Sequence, residues 1–508
     1  MATPDRRAVI DLGSNSFRLV VFSARDGWWK RTDEIYEPVR IGEGLAATGE
    51  LGEAPMERAL ATLDVFAHFA RASGLDADQV DPVATSAIRD ATNRETFLRR
   101  ARRRTGLKVR VLSREEEARY GFLAAVNSTS LNDGCVLDLG GGSMQLVQVA
   151  SRHATQSDSW RLGAVRMTER FLPGKGPAKR KQTDELRAHV RRKLERADWL
   201  GRSGSCIVGL GGTVRNLATA AQRVAGLPSM GVQGQTISAG VLDELIGTLA
   251  ALPVSERRSV PGIKPGRADL ILAGAIVIHT VLEAGGFDAV EATEAGLREG
   301  VWFEHLLADA GEPPLFDDVR RSSVLNLAAQ YRVDPRHTEH VAKLALGLFD
   351  ELAEAGLHAG DPIERELLWA GACLHDIGMT VDYDDHHKHS RYLILNSGLP
   401  GFSPAEVALI AQAARYHRKG TPEPGPMAPL LSKADVARLR RCAVLLRLAE
   451  DLERSRDQSV RATHVEVEDG EVHLTLDTRG DVAVPRWAVT REVDVFAHAF
   501  DKRLVVTA

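Results

Sequence analysis

The segment Cys135 to Val149, CVLDLGGGSMQLVQV, places a carboxylate, Asp138, at the end of an apolar run; Gly140, Gly141, Gly142 and Ser143 follow before the pattern resumes at Leu146. Two apolar strands joined by a glycine-rich turn read as a hairpin. Successive backbone N–H groups with no Cβ in the way form a concavity suited to phosphate oxygens. A carboxylate at the strand end could hold a divalent cation beside that phosphate. An ordinary tight hairpin has the same pattern, so one copy decides nothing. A second copy stands at Ala8 to Phe22, AVIDLGSNSFRLVVF, with Asp11 falling on Asp138, Leu12 on Leu139, Gly13 on Gly140 and Ser16 on Ser143. Two equivalent hairpins suggest a duplicated domain whose halves grip one phosphoryl group from both sides. A third glycine loop, VGLGGT from Val208, leads through Gly211, Gly212 and Thr213 into a helical pattern over Val214 to Arg223.

Other groups able to do chemistry lie between and beyond these loops. Ser113 and Glu116 in SREEEARYGFLAAV have capping-box spacing, which would occupy Glu116 at a helix start. Five arginines between Arg99 and Arg104, and a basic run from Lys175 to Lys193, have the composition of solvated faces. Later come His337 in HTEHVAKLAL, the pair His375 and Asp376 in LHDIG, HHKHSRY from His386 and RYHRKG from Arg415.

The elements that must position these groups follow from apolar periodicity. After the first hairpin, Trp28 to Ile41 reads as strand, Gly42 to Gly52 as a glycine-rich loop and Met56 to Ala72 as a helix. Pro82 to Arg89 reads as a strand running into a loop, Arg94 to Thr105 as a helix and Val109 to Leu112 as a short strand. Ala268 to Gly286 is the longest apolar stretch; His279 and Glu283 interrupt it, so it is read as a core helix rather than a membrane span. A Gly-Glu-Pro-Pro linker at Gly311 to Pro314 marks a boundary, and the pattern is helical from about Ser322. Val460 to Ala508 alternates like strands, with a turn near Asp469 and Gly470, and reads as a small β-rich tail.

At 508 residues the chain has room for three or four domains. A formal charge of −4 does not advertise a polyanion ligand, so any such binding must come from local basic patches. Four scattered cysteines without a CxxC pair read as free thiols in a reducing compartment. The first strand pattern begins almost at once, leaving no room for a signal peptide. A cytoplasmic enzyme is expected, with neither nucleic acid nor membrane as partner.

The paired hairpins and the third glycine loop resemble the actin-like (ribonuclease H-like) phosphotransferase fold, and most closely the exopolyphosphatase and guanosine-pentaphosphate phosphatase family. The resemblance covers essentially the whole chain. It implies an α/β protein with two actin-like lobes, 1–125 and 126–310, an all-α domain over 320–458 and a β-rich tail over 459–508. It implies release of terminal orthophosphate from inorganic polyphosphate, with a guanosine-pentaphosphate 5′-phosphatase as the alternative and a non-catalytic polyphosphate or nucleotide sensor as the reading of another class. A homodimer is expected.

The family pattern picks out Glu117, immediately before Ala-Arg, as the base that activates water, with Glu116 the alternative. Ser14, Asn15, Gly141, Gly142, Ser143 and the Gly211–Gly212–Thr213 loop would hold phosphoryl oxygens, and Asp138 with Asp11 would place Mg²⁺ or Mn²⁺. Arg89 matches an arginine that grips the chain, and Arg18 lies where some members contact guanosine tetraphosphate. The family's second hairpin usually reads GGGS-x-E, and here the acid is replaced by Gln145.

His337, His375, Asp376 and a late acidic residue resemble the HD phosphohydrolase pattern, in which His and Asp side chains bind one or two metals. The final Asp of that pattern is Glu450 here, beside Asp451. Related exopolyphosphatases use this domain to hold polymer. Arg391, Arg415, Arg418 and Lys419 are accordingly expected to contact long chains rather than to serve a second hydrolase.

Overall fold

The computed structural model describes residues 5–25, 27–228 and 230–507, so the first four residues of the first lobe and Ala508 of the tail lie outside the described residues. The chain divides into two compact units, the first ending at Val319 and the second built on 320–507.

In the first unit, the apolar runs around both Asp-Leu-Gly motifs become strands. β1 (Asp5–Leu12), β2 (Phe17–Arg25) and β3 (Trp28–Glu37) form an antiparallel meander; β4 (Val80–Ala84) lies parallel to β1, and β5 (Arg110–Val111) completes the order β3-β2-β1-β4-β5. The second sheet repeats the plan. β6 (Gly134–Leu139), β7 (Met144–Ala150) and β8 (His153–Trp160) form a meander, and β9 (Ile207–Leu210) lies parallel to β6. With β11 (Ala289–Ala292) and β10 (Gln235–Ser238) the order is β10-β11-β9-β6-β7-β8. The duplication read from two motifs therefore extends through four strands of each sheet.

Ala8, Val9 and Ile10 of β1 are consecutively apolar because both faces of the strand are covered there. Ala8, Ile10 and Leu12 enter a core with the helices Glu53–Ala72 and Arg94–Thr105. Val9 points the other way, into a core shared with Val136 and Val147 of the second sheet. Two helices supply the remainder of that shared core, Arg114–Val126 and Leu297–Leu306. The second of these follows the segment EATEAGL and returns to the first sheet. Trp302 stacks on Phe22 of β2, ring centroids 5.1 Å apart and planes nearly parallel, and Phe303 meets Trp29 edge-on. Gly300 is required where the two helices cross, because a Cβ there would collide with the Tyr120 carbonyl.

The arginine-rich helix does present a solvated face: Arg100 pairs with Glu53 and Arg104 with Asp64 of the neighbouring helix. Ala268 to Gly286 is a core helix, Ile271–Gly285. No helix among the described residues is long and apolar enough to cross a membrane. Two loop readings in this unit differ: Leu45–Thr48, inside the expected Gly42–Gly52 loop, is one helical turn, and a second segment after β4 is helical too. Ser86 to Asp90, expected as loop, is a short helix, with Thr85 extended at its start.

The second unit packs the helices Pro335–Glu354, Pro362–Leu374, Pro404–Tyr416 and Lys433–Leu452, which start at the capping residues Asp334, Asp361, Ser403 and Ser432. Its tail holds the sheet β12 (Val460–Glu468), β13 (Glu471–Thr478) and β14 (Arg503–Thr507). Two helices, Ala483–Thr490 and Val493–Phe500, interrupt the strand pattern expected there. Val472 and Leu474 of the sheet share one core with Val341, Leu348 and Leu445 of the helices.

Trp302 is fully buried at the closure of the first unit. Trp302→Ala should therefore lower stability by about 3–5 kcal/mol in urea unfolding, whereas Trp302→Phe, which keeps a stacked ring, should cost less than about 1.5 kcal/mol. Equal losses would show that ring stacking is not what closes the unit.

Candidate active site

The two hairpin turns meet. Gly141 lies against Ser14 and the Asn15 amide, and a Cβ on Gly142 would come within 2.5 Å of Ser86 Oγ and 2.8 Å of Ser14 Oγ. Neither Gly141 nor Gly142 has a positive φ, so close approach, not conformation, demands glycine here. The turn is held from behind: Gly140 N–H donates to the Ser143 carbonyl at 3.0 Å, and the amides of Ala164 and Val165 donate to the carbonyls of Gly140 and Gly141. Among the described residues, no backbone hydrogen bond takes up the N–H of Gly141 or Gly142. Opposite, Ser14 Oγ and Ser86 Oγ are 3.1 Å apart.

The turns open onto a cleft of about 130 Å³ whose lining includes Asp11, Glu117 and Asp138, the Gly211–Gly212–Thr213 loop, and Arg18, Arg215, Arg267 and Arg298. Its few apolar lining groups are Leu139, Ala164, Leu270 and Leu297, and none of the lining residues is aromatic. Cross-strand register makes Arg18, opposite Asp11, the counterpart of Gln145, opposite Asp138.

The neighbouring glutamates are separated by helical geometry. Glu116 closes the capping box, accepting from the Ser113 amide at 2.8 Å, and also accepts from Arg110. Glu117, one position on, is buried at the cleft wall. Its Oε2 accepts from Arg89 Nη1 at 2.7 Å and its Oε1 from Ser143 Oγ at 3.1 Å, while Gln145 Nε2 donates to the same Ser143 Oγ at 3.0 Å. Arg89, expected to grip substrate, is thus directed to Glu117 and to the Leu112 carbonyl. Gln145 is directed to the serine.

Burial raises the Glu117 carboxyl above its ordinary range, with Arg89 and Ser143 opposing the rise. Asp138 is pushed up to about 7, first by burial and then by the charges of Glu117 and Asp11. Asp11 is also raised by burial, against the pull of Arg298, whose Nη1 lies 3.1 Å from Asp11 Oδ2. Burial lowers Arg215 to about 10, and its Nη1 donates to the Glu294 carbonyl. Three crowded carboxylates, one of them half-protonated near neutrality, form an oxygen-rich set that a hard divalent cation would suit.

The structure therefore gathers Asp11, Ser14, Asn15, Arg18, Glu117, Asp138, Gly141, Ser143, Gly211, Gly212 and Thr213 around one cleft, with Gly142 and Arg89 directly behind it. Sequence reasoning missed Ser86, Arg215, Arg267 and Arg298. Arg215 stands in the helical pattern after the third glycine loop, a motif already singled out, whereas Arg298 stands in the helix Leu297–Leu306, which no motif marked.

The remaining sequence-selected residues belong to the second unit. His337, His375 and Glu450 converge there, and Asp376 joins a second group with His386 and His417, which stand in the HHKHSRY and RYHRKG segments quoted above but were not read as ligands. Arg391, Arg415, Arg418 and Lys419 surround the helix His386–Ser397 and the end of Pro404–Tyr416; Lys419 pairs with Asp385 at 3.2 Å.

Twin sheets with facing phosphate-type turns over a carboxylate and arginine cleft define the actin-like class of phosphoryl-handling proteins. A model of the Ppx/GppA phosphatase family matches residues 20–309, and one of Ppx/GppA phosphatase domain III matches residues 319–484. The chain belongs to the Ppx/GppA phosphatase family. It is similar to the crystal structure of the Aquifex aeolicus family member, at 30% identity and a TM-score of 0.53, over 61% of this chain and 100% of that one. An exopolyphosphatase from Cytophaga hutchinsonii shares the fold at 23% identity and a TM-score of 0.55, over 59% of this chain and 97% of that one.

Because Asp138 ionises near 3.8 when unfolded and near 7 when folded, the native state binds the extra proton between those values. Stability of chelator-treated protein should therefore fall as pH rises from about 4 to about 7, with Glu117 and Asp11 acting in the same sense. Asp138→Asn should reduce that slope and raise the urea midpoint at pH 8. An unchanged slope would mean that Asp138 is not held in this environment.

Proposed function

We propose that the cleft removes terminal orthophosphate from inorganic polyphosphate by direct attack of water. The observation that carries this reading is Glu117, a buried carboxylate held between Arg89 and Ser143 at the wall of the cleft into which both phosphate-type turns open. A sensor has no need of an oriented base at that point. The domains are assigned as lobes 1–125 and 126–310, a helical domain over 320–458 and a tail over 459–508.

The free amides of Gly141 and Gly142 and the hydroxyl of Ser14 hold the terminal phosphoryl oxygens, while Ser143, whose proton goes to Glu117, serves the base. Fixed donors of this kind stabilise charge spreading over those oxygens in the transition state. Arg18, Arg215, Arg267 and Arg298 balance the charge of the next phosphates. Mg²⁺ or Mn²⁺, held by Asp138 with Asp11, would supply further charge neutralisation at the leaving oxygen. Glu117 accepts a proton from the attacking water; burial raises its affinity for protons above that of a free carboxylate, which strengthens it as a base. Arg89 and Ser143 fix both carboxylate oxygens, so the base arrives oriented.

A guanosine-pentaphosphate 5′-phosphatase would use the same phosphoryl machinery. The polar cleft lining, without an aromatic surface for a base, favours the inorganic chain. Phosphate release from long-chain polyphosphate and from guanosine pentaphosphate under identical conditions tests this. Polyphosphate should have the higher kcat/KM, and a preference for the nucleotide would overturn the substrate assignment. In the second domain, Arg391, Arg415, Arg418 and Lys419 are proposed to hold longer chains.

Glu117→Gln should reduce turnover by about 10²–10⁴-fold while leaving the Kd for polyphosphate nearly unchanged. Glu116→Gln should cost about 1 kcal/mol of stability through its helix start and leave turnover largely intact. The reverse pattern would move the base to the neighbouring residue.

A further inference from the structure

Ser143 ends the second turn and Gln145 is the second residue of β7, so the two side chains leave the same face of the chain. Gln145 stands opposite Asp138 in register. In the other hairpin the equivalent position, opposite Asp11, is Arg18, which lines the cleft. Gln145 is turned to a different use. It is 1% exposed, its Nε2 lies 3.0 Å from Ser143 Oγ, and that oxygen lies 3.1 Å from Glu117 Oε1.

Elementary valence fixes the direction of both bonds. A hydroxyl has one proton to give, and an ionised carboxylate oxygen only accepts, so the Ser143 proton goes to Glu117. Whatever faces the Ser143 oxygen from its other side must then donate, and of the two ends of a carboxamide only the NH₂ does so. The amide of Gln145 is thereby oriented without reference to its outline. Glu117, Ser143 and Gln145 are each less than a tenth exposed, so bulk water does not compete for these bonds. Arg89 alone, 2.7 Å from Oε2, would leave the carboxylate free to swing about that contact, and the Ser143 bond at Oε1 stops the swing.

We infer that Gln145 is a positioning residue for the base: its amide donates to Ser143 and so commits the serine proton to Glu117. This rests on the reading of Glu117 as the group that activates water. An acid of the same shape at this position would do the opposite. Its carboxylate would accept the Ser143 proton itself, leave Glu117 Oε1 without a donor and add negative charge opposite Asp138. Because Gln145 acts through Ser143 and Glu117, it governs turnover rather than the hold on substrate.

A double-mutant cycle on full-length protein, followed by phosphate release from polyphosphate and from guanosine pentaphosphate, tests this. Gln145→Met, similar in length and without the donor, should lower kcat by about 10–100-fold through misplacement of the base, with KM nearly unchanged. In the Glu117→Gln background, where no base is left to position, the same exchange should change kcat by less than about twofold. Gln145→Glu keeps the shape and should lower kcat at least as far as Gln145→Met; it carries the cycle where the Met variant does not fold. Equal fold losses in the two backgrounds would overturn the inference, because the effect would not pass through Glu117. Wild-type kcat in either Gln145 variant, or a loss confined to KM, would overturn it as well. Full turnover in Glu117→Gln alone overturns the base and this inference together, and that single variant tells the two failures apart.

Discussion

At Gly142 the chain runs so close to Ser14 and Ser86 that a Cβ there would displace both serine hydroxyls. That approach is the constraint from which the first unit's architecture follows. For two turns from separate sheets to touch, both sheets must be anchored to a common interior, and the helices Arg114–Val126 and Leu297–Leu306 provide it. The same closeness lets Ser143, at the end of one turn, reach Glu117, whose other oxygen is held by Arg89 behind the opposite lobe's strand β4. One carboxylate is thereby tied to both sheets. Opening the lobes would break either the Ser143 or the Arg89 contact, so the orientation of Glu117 reports on closure of the cleft.

The cleft is also an electrostatic compromise. Burial chiefly, and then repulsion from Glu117 and Asp11, pushes the Asp138 carboxyl up to about 7. Arg298 relieves Asp11 directly, whereas Arg215 acts on Asp138 only through space. A polyanion entering such a site meets carboxylates and guanidiniums together. Charge-neutralising cations and fixed amides become necessary partners, since positive side chains alone are already partly committed within the protein.

What the sequence made legible was local and repeated. Two copies of an Asp-Leu-Gly turn flanked by strand patterns announced both the duplication and the phosphate-type loops, and capping-box spacing separated Glu116 from its neighbour. Glu117 itself, with the actin-like architecture, came through family resemblance. The arginines Arg215, Arg267 and Arg298 were not legible as a set, because they are brought together from distant segments whose local patterns are ordinary. Arg89 was seen, but its partner was not: its contact with Glu117 depends on Ser86 to Asp90 turning into a short helix, which a strand-like PVATSAIR run conceals. His386 and His417 lie on different helices and converge only in the folded unit, so the HD-type spacing exposed one half of the cluster and hid the other. The tail read as strands because Val is its commonest residue and its first half alternates, although tertiary packing on the helices makes two of its segments helical.

Direct attack by a water held at Glu117 has a stereochemical signature. The decisive measurement is the configuration of the orthophosphate analogue released from a short polyphosphate whose terminal phosphorus is a chiral, oxygen-isotope-labelled thiophosphate. A single in-line displacement predicts inversion at that phosphorus. Retention would require two displacements through a phosphorylated side chain, with Ser14, Ser86, Ser143 and Thr213 as the nearest hydroxyls, and would contradict the assignment of Glu117 as the group that activates water.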